Sequence, residues 1–405
     1  MFVLAVLKSP LDTKYSKFLE YSIYTALLAY AAGLITSISI LGLAHIAMLF
    51  PCIYLAFKTN WKEMPKSAWG LLAFTLAVVL SVFINFEVMK TGFKPALKAK
   101  YFLYGFLSIV PFYYFLTSKL TQKRKYILVG IIFTSTIIAL IGGTIARKTG
   151  YNPITFRNVE MHLDRNSGIM GFVLNYAHNL SYFMTIFVTL LIAFWRDFSK
   201  KEKIIYGIVL ALNVYALYTT YARGAILALI AGMAGYFLKD IKRLVVALVV
   251  FAALGTIGYF GNYQSFKREG SDTLRLSMWE TALVGFKERP IFGWGYLNFE
   301  QHSTDIKKRH GIVHQEFGGH AHNSILEVMA TTGAVGFLAF LIWIGFWVHE
   351  LFLRSDKWSR VELAALCAVF VGGLTQSTIG LGINLFFIML IYSVSAAHTI
   401  KERSL

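Results

Sequence analysis

The chain has 405 residues, of which 57% are hydrophobic, 16% aromatic and only 15% charged. A soluble domain carries roughly 25% charged residues, so this composition excludes a soluble globular protein and indicates a membrane protein. The formal net charge of +18 would suggest nucleic-acid binding in a soluble protein. In a membrane protein it indicates topology instead, because basic residues hold short loops on the cytoplasmic side. We therefore predict no nucleic-acid partner.

The chain has two cysteines, Cys52 and Cys367, and both fall inside apolar runs. Because neither lies in a polar segment that would face an oxidising compartment, we predict no disulfide framework and no zinc-thiolate site. The first apolar stretch is followed by many more and not by a small-residue cleavage site. This order predicts a first span that is retained as an anchor, without a cleaved signal peptide.

Twelve apolar runs match or approach the length of about 20 residues that crosses a bilayer. They lie at 18–35, 38–57, 68–86, 101–116, 127–146, 168–195, 204–218, 225–238, 244–260, 334–348, 363–374 and 383–394. If the N-terminus is cytoplasmic, the short basic loops "KTNWKEMPK", "SKLTQKRK", "RDFSKKEK", "KDIKR" and "RSDKWSR" all lie inside, as the positive-inside rule requires. The predicted fold class is an all-α integral membrane protein of about 12 transmembrane helices with one large periplasmic loop.

That orientation places residues 261–333 outside the membrane as the one long polar segment. We predict a transmembrane bundle over 1–260, a periplasmic catalytic loop over 261–333, and spans 10–12 with a cytoplasmic tail over 334–405. The loop carries eight Lys or Arg and eight Asp or Glu, so an anion site there must be built from specific arginines.

Two amphipathic helices are predicted inside the loop. "SDTLRLSMWETALVGFKERP" has apolar residues four apart, with Asp272 as N-cap and Pro290 as stop. "HNSILEVMATTG" is the second, with Asn323 or Ser324 at its cap and Gly333 at its end. Such helices are expected to lie along the membrane surface, on the outer side of the helix bundle.

Three arginines are candidates for holding an anion. Arg223 in "TTYARGA" interrupts an apolar stretch at the outer face, where an arginine is costly unless it is paired or lines a wet cavity. Arg275 lies one turn into the first amphipathic helix, and Arg165 precedes the sixth span. A guanidinium presents a rigid fork that matches phosphate oxygens, although snorkelling to the interface or simple solvation also fits these positions. Further possible donors are Arg147, Lys148 and Arg157.

The stretch "GGHAHNSILE" holds His320 and His322 just before a helix. A metal site built from His314, Glu316, His320 and His322 is one reading, but H-x-H is a weak signal and the helical HExxH spacing is missing. A histidine at a helix N-terminus is disfavoured as a cation by the dipole, which keeps the imidazole neutral and able to accept a proton. His322 is therefore the candidate general base, with His320 and Asn323 as possible supporting residues.

The sequence contains neither G-x-x-x-x-G-K-[ST] nor G-x-S-x-G, and it contains no D-x-D. It thus argues against ATP-driven transport, serine-hydrolase chemistry and a metal-held nucleotide sugar. Arginines and a histidine on the outer face are suited to a lipid-diphosphate donor. No carboxylate pair is arranged as in glycosidases, although Glu280, Glu316 and Glu327 leave a carboxylate role open.

The order of motifs resembles the O-antigen ligase and O-antigen polymerase superfamily of bacterial inner membranes. The resemblance rests on "YARGA", "RLSMWETAL", "RPIFGWGYLNF" and "HAHNSILEVMATTGAVG", which cover roughly 165–337. It implies a metal-independent glycosyltransferase without cofactors. The implied donor is an undecaprenyl-diphosphate-linked glycan on the periplasmic side, with Arg223 and Arg275 holding the diphosphate and His322 acting as the base.

Several functions stay open at this point. The ligase reading, with a lipid A core oligosaccharide as acceptor, is preferred over a polymerase that joins lipid-linked repeat units. A transporter of lipid-linked glycans would place charges along a path through the spans, whereas the polar clusters here lie at the outer ends. A metal-dependent hydrolase would require the histidine cluster to assemble. Membrane lipids are expected partners in each case.

Overall fold

A computed structural model describes residues 6–7, 13–158, 165–261, 269–380 and 382–403. Within these ranges, β1 (Tyr151–Asn152) and β2 (Arg157–Asn158) pair as a short antiparallel hairpin, and most of the remaining residues are helical. The helices are α1 (Thr13–Gly33), α2 (Ile38–Lys58), α3 (Lys66–Ile84), α4 (Lys94–Lys98), α5 (Lys100–Leu107), α6 (Ile109–Ser118), α7 (Gln122–Thr149), α8 (Val173–Phe194), α9 (Lys200–Thr219), α10 (Arg223–Gly235), α11 (Ile241–Gly261), α12 (Glu269–Glu288), α13 (Phe299–His310), α14 (Ser324–Leu353), α15 (Lys357–Thr375) and α16 (Gly382–Arg403).

Within the described ranges, eight helical stretches are long and apolar enough to cross a membrane. They are α2, α3, the combined stretch Lys94–Ser118, α7, α8, α14, α15 and α16. This confirms a helical, multi-pass membrane protein. The eight coincide with eight of the predicted spans, and the other four predicted spans lie on α1, α9, α10 and α11. The total of twelve, the sidedness and the three-part division of the chain stay predictions.

The outward side of the bundle is strongly apolar. Ile46 on α2 is 69% exposed, Phe57 on the same helix 79% and Val249 on α11 64%. Exposed apolar surface on this scale is unfavourable in water but favourable in hydrocarbon. These faces are therefore suited to contact lipid chains.

Helix α15 packs against α8 and α10, and α14 packs along α3. Small residues allow the close approaches, as is typical of membrane helices. At Gly70 an added Cβ would lie 2.7 Å from the Cα of Trp343. Trp343 and Trp347 are both buried and pack edge-on against the ring of Tyr392. The core of the bundle is thus aromatic along α14.

A break at Gly333 divides α14. Gly333 has φ 63° and ψ −163°, a backbone region open essentially only to glycine. The amides freed by the break, those of Ala334 and Val335, donate to the carbonyl oxygens of Pro290 and Ile291 at 2.8 and 3.2 Å. The segment "RPIFGWG" (residues 289–295) therefore packs against the kink and accepts its free backbone hydrogen bonds. Gly333 does end the predicted amphipathic helix, but a second helix follows at once.

Two helix N-caps were predicted within residues 261–333, and the structure confirms one of them and contradicts the other. The cap at Asn323 is confirmed, since its side-chain oxygen accepts from the amides of Ile325 and Leu326 at 3.0 and 3.2 Å. The cap at Asp272 is wrong, because α12 already includes Glu269. Asp272 instead lies within the helix, where its carboxylate reaches a side chain from another element.

Candidate active site

A cavity of about 180 Å³ lies between α8, α10, α12 and the loop before α14. It collects Arg165, Arg223, Arg275 and His322, which the sequence had singled out separately. No Asp or Glu is among the described residues that line it, so the wall is cationic. The complete lining is Arg165, Leu174, His178, Tyr221, Ala222, Arg223, Gly224, Leu274, Arg275, His322 and Thr375.

Arg223 enters the cavity wall as the first residue of α10. The preceding Tyr221 has φ 49°, a left-handed conformation that is uncommon for a bulky residue and is often found at functional sites. Gly224 lets α10 approach α15, since an added Cβ would meet the hydroxyl of Thr375 at 2.2 Å. One Nη of Arg223 lies 2.5 Å from Asp272 Oδ1, and these two side chains are 33% and 48% exposed. A pair this exposed is weak and open to exchange for another anion.

Arg165 and Arg275 reach the cavity from other sides. Arg165 is buried, and its Nε donates to the carbonyl oxygen of Thr220 at 2.7 Å, which fixes the guanidinium beside the end of α9. Arg275 extends from the second turn of α12. Arg147 and Lys148 lie in the last turn of α7 and are not among the lining residues, and the side chain of Arg157 lies outside the described part of the chain.

His322 lies in the loop just before α14, with φ 49°. Its Nδ1 is 2.7 Å from Oε1 of Gln376. Because an amide oxygen only accepts, Nδ1 carries the proton and Nε2 keeps its lone pair. Burial lowers the pKa of His322 to about 4, assisted by His320 and Arg275 and opposed by the bond to Gln376. The neutral form expected from the sequence thus has burial as its main cause.

The histidine loop is held by a set of short polar contacts. The amide of Ala321 donates to Oε2 of the buried Glu327 at 2.7 Å. The hydroxyl of Ser324 lies 3.2 Å from the carbonyl oxygen of Gln376 and 3.2 Å from Oγ1 of Thr378. These contacts join the start of α14 to the link between α15 and α16. His322 is therefore fixed from two sides.

The rings of His320 and His322 contact each other in a tilted arrangement with centroids 4.2 Å apart, but His320 does not line the cavity. Its Nε2 is buried and has no hydrogen-bond partner among the described residues. Burial lowers the pKa of His320. His320 therefore affects the pKa and the packing of His322 without lining the cavity itself.

The alternative metal site is not assembled. His314 Nδ1 and Glu316 Oε1 approach only to 4.0 Å. Over the ranges that the structure covers, no three His, Cys, Asp or Glu side chains group as ligands. The carboxylates left open by the sequence are also away from the cavity lining: Glu280 and Glu316 are exposed, and Glu327 accepts from Ala321.

Sequence reasoning missed three cavity residues or their direct supports. His178 on α8 is buried, with Nδ1 2.7 Å from the carbonyl oxygen of Leu174 and Nε2 3.3 Å from Thr375 Oγ1. An ionisable residue inside a predicted span was the signal for it, because such residues are rare unless they function. Thr375 and Gln376 follow the eleventh predicted span, where nothing in the spacing connects them with a histidine more than fifty residues earlier.

Comparison with known proteins agrees with the motif order. The family described as O-Antigen ligase matches residues 207–341, a range that contains Arg223, Arg275 and His322. A protein of Haemophilus influenzae, described as an uncharacterized protein, is 28% identical over 186 residues, covering 40% of this chain and 46% of the relative. The match therefore spans less than half of that relative. Residues 207–341 match the O-antigen ligase family, and this match confirms the resemblance that the order of motifs indicated.

Proposed function

We propose that the chain is a glycosyltransferase that takes a glycan from a polyprenyl diphosphate, with undecaprenyl diphosphate as the expected carrier. The proposed location is the inner membrane of a bacterium, with the cavity open to the periplasm. One observation carries the proposal: three arginines and two histidines line a single cavity, and the described residues of its lining include no Asp or Glu. Such a wall suits an anionic leaving group.

The proposed role of Arg223 and Arg275, supported by Arg165, is to hold the diphosphate. Transfer from a diphosphate increases negative charge on the departing oxygen. Preorganised guanidiniums stabilise this charge in the transition state, where a site largely removed from water strengthens the interaction. Arg223 can release Asp272 and turn to phosphate, because the competing pair is exposed.

The proposed role of His322 is that of general base. Nε2 takes the proton from an acceptor hydroxyl, the oxygen attacks the anomeric carbon, and the bond from that carbon to the diphosphate oxygen breaks. The diphosphate departs with the electron pair. This single displacement needs no covalent enzyme intermediate and inverts the anomeric configuration. Asn323 contributes by capping the helix that positions His322.

For the acceptor, we propose the core oligosaccharide of lipid A, which makes the protein an O-antigen ligase. The polymerase, in which the acceptor is a second lipid-linked repeat unit, is the alternative from the same superfamily. The family that matches residues 207–341 includes both ligases and polymerases, and the proposed chemistry at the cavity is the same for both. Transport of lipid-linked glycans without chemistry is the alternative of another class.

The deciding experiment is reconstitution of the purified protein with a lipid-linked glycan and one of two acceptors. Rough lipopolysaccharide that gains a glycan identifies a ligase, and a longer lipid-linked glycan identifies a polymerase. Movement of intact donor between leaflets without either product identifies a transporter.

His322→Ala tests the base within the same assay. We expect it to abolish transfer and leave the amount of inserted protein unchanged. His349→Ala, on the exposed side of α14, is the matched control and should transfer normally. Near-normal transfer by His322→Ala would remove His322 from the mechanism.

A further inference from the structure

Gln376, at the junction of α15 with the link to α16, contacts the proposed base without lining the cavity. We propose that Gln376 is the positioning residue of the reaction, which fixes the tautomer and the direction of the His322 ring so that Nε2 faces the acceptor. This inference rests on the function proposed above and assigns a role to a residue that lies beyond the family match at 207–341.

The geometry of the contact gives the first argument. Gln376 Oε1 accepts from Nδ1 of His322 at 2.7 Å, a short distance for an N–H to O bond. A neutral imidazole has one protonated nitrogen, so a fixed acceptor at Nδ1 determines that Nε2 is the basic one. Without this acceptor the ring has no reason to prefer that tautomer.

The second argument is that Gln376 is itself held in place. Its carbonyl oxygen accepts from Ser324, its amide donates to the carbonyl oxygen of Gly372 at 3.1 Å, and its exposed fraction is 3%. Ser324 also contacts Thr378, two residues on. The glutamine therefore connects the helix that His322 precedes with a second helix.

The third argument is that the loop has a conformation that needs such support. His322 has φ 49°, which costs on the order of 1–3 kcal/mol for a residue of this kind and persists only where the surroundings enforce it. The amide of Ala321 is held by Glu327 on one side of the residue, and Gln376 holds the ring on the other. Backbone and ring are thus fixed by separate contacts.

The fourth argument is that the Gln376 side chain, which bonds to the base, is uncharged. A carboxylate at this position would stabilise the imidazolium, whereas an amide sets the tautomer without adding charge. The titratable and charged groups that face His322 from the surrounding elements are His320, His178, Arg165, Arg223, Arg275 and, from α13, Glu300.

The test uses two replacements at this position in the full-length protein. Gln376→Leu removes the acceptor at similar size. We expect transfer to fall about 10-fold to 100-fold, the range found when the outer partner of a metal-bound histidine is lost, with unchanged binding of undecaprenyl diphosphate. Gln376→Glu keeps an acceptor and adds a negative charge. We expect it to retain transfer near neutral pH and to move the acid limb of the pH–rate profile to higher pH.

The pH profile separates positioning from a purely structural role, since loss of packing would lower the rate without moving the limb. Gln315→Glu, which adds the same charge at an exposed site in the same outer segment, is the matched control and should leave the limb where it is. The inference is overturned if Gln376→Glu leaves the acid limb of the pH–rate profile in place and Gln376→Leu transfers at the full rate. In that case an inactive His322→Ala would still support the proposed function. Full transfer by His322→Ala would overturn both.

Discussion

The arginine side chains near the two ends of α14 lie in different charge environments. After its C-terminal end, Arg354 donates to Asp356 at 2.9 and 3.0 Å and to Glu362 at 2.6 Å. The second oxygen of Glu362 lies 2.6 Å from Nδ1 of His398. Near its N-terminal end, the cavity gathers three arginines and two histidines, and its described lining includes no carboxylate.

The difference is one of charge balance. In the cluster of Arg354, Asp356, Glu362 and His398, each charged side chain has an ionic or hydrogen-bonding partner within the chain, so the cluster stabilises the packing of α14, α15 and α16. The described cavity lining contains arginines and no carboxylate, and the backbone at Tyr221 and His322 is in a left-handed conformation. Such a lining is suited to bind an anionic ligand. The balanced cluster should therefore govern stability and the cavity should govern activity.

The largest expected effect is at the balanced cluster. Arg354→Met leaves the carboxylate of Glu362 in a position where its side chain is only 7% exposed, and breaking a buried pair in this way costs about 3–5 kcal/mol. We expect a clear drop in the unfolding temperature of the detergent-purified protein.

The double replacement Arg354→Met with Glu362→Leu should recover part of this loss, because the buried carboxylate of Glu362 is then removed together with its guanidinium partner. Lys357→Met, which breaks the exposed 3.5 Å pair with Asp197, is the control and should change stability by less than about 1 kcal/mol. Equal stability of Arg354→Met and the wild-type protein would contradict the comparison.

The next effect is at the cavity. We expect Arg275→Ala to lower glycan transfer about 10²-fold to 10³-fold, which corresponds to about 2.7–4 kcal/mol of transition-state stabilisation. Arg223→Ala should behave in the same way, and Arg223→Lys should recover only part of the rate because the ammonium lacks the planar fork. Transfer assays with lipid-linked glycan measure the rates.

Arg243→Ala is the control for the cavity arginines. Arg243 is 71% exposed and pairs with Asp240, the residue just before α11, so its loss should leave transfer unchanged. The unfolding temperature of Arg275→Ala should stay closer to wild type than that of Arg354→Met. The reverse order would mean that the cavity arginines hold the fold together.

A smaller effect is expected at the kink between the two ends. Gly333→Ala places a side chain on a φ of 63°, with its Cβ 2.4 Å from the carbonyl carbon of Ile291. The conformational strain alone is about 1–3 kcal/mol, and the unfolding temperature should fall accordingly. Gly345→Ala, in the same helix with open space around its Cβ, should be neutral or slightly stabilising. A stable Gly333→Ala would show that the kink can be straightened.

The smallest effect concerns pH. The pKa of His322 is lowered to about 4, so the neutral, proton-accepting form dominates above that value. Transfer should therefore stay level from pH 8 down to pH 5 and decline only as the pH falls through the folded-state pKa. Rate profiles in a constant buffer mixture measure this. A decline centred near the ordinary histidine pKa of about 6.5 would place the base in a more solvated setting.

The sequence alone determined the features that depend on local pattern. Apolar runs fix a helical membrane protein because a span must satisfy its own backbone hydrogen bonds in lipid. The cap at Asn323 and the break at Gly333 follow from short-range chemistry in the same way. The arginines and His322 were identifiable because charges near the hydrocarbon are costly and the motif order is characteristic. The misplaced start of α12 at Asp272 reflects how readily a polar residue within a helix resembles a cap.

Only the tertiary structure decided which of these residues share a cavity and what holds them there. Gln376 and His178 meet the site through packing of α8, α10 and α15, and no sequence period encodes a contact between distant helices. The low pKa of His322 likewise depends mainly on burial, because desolvation is set by everything packed around the ring. The metal alternative likewise needed the tertiary structure, in which the described His, Cys, Asp and Glu side chains form no group of three ligands.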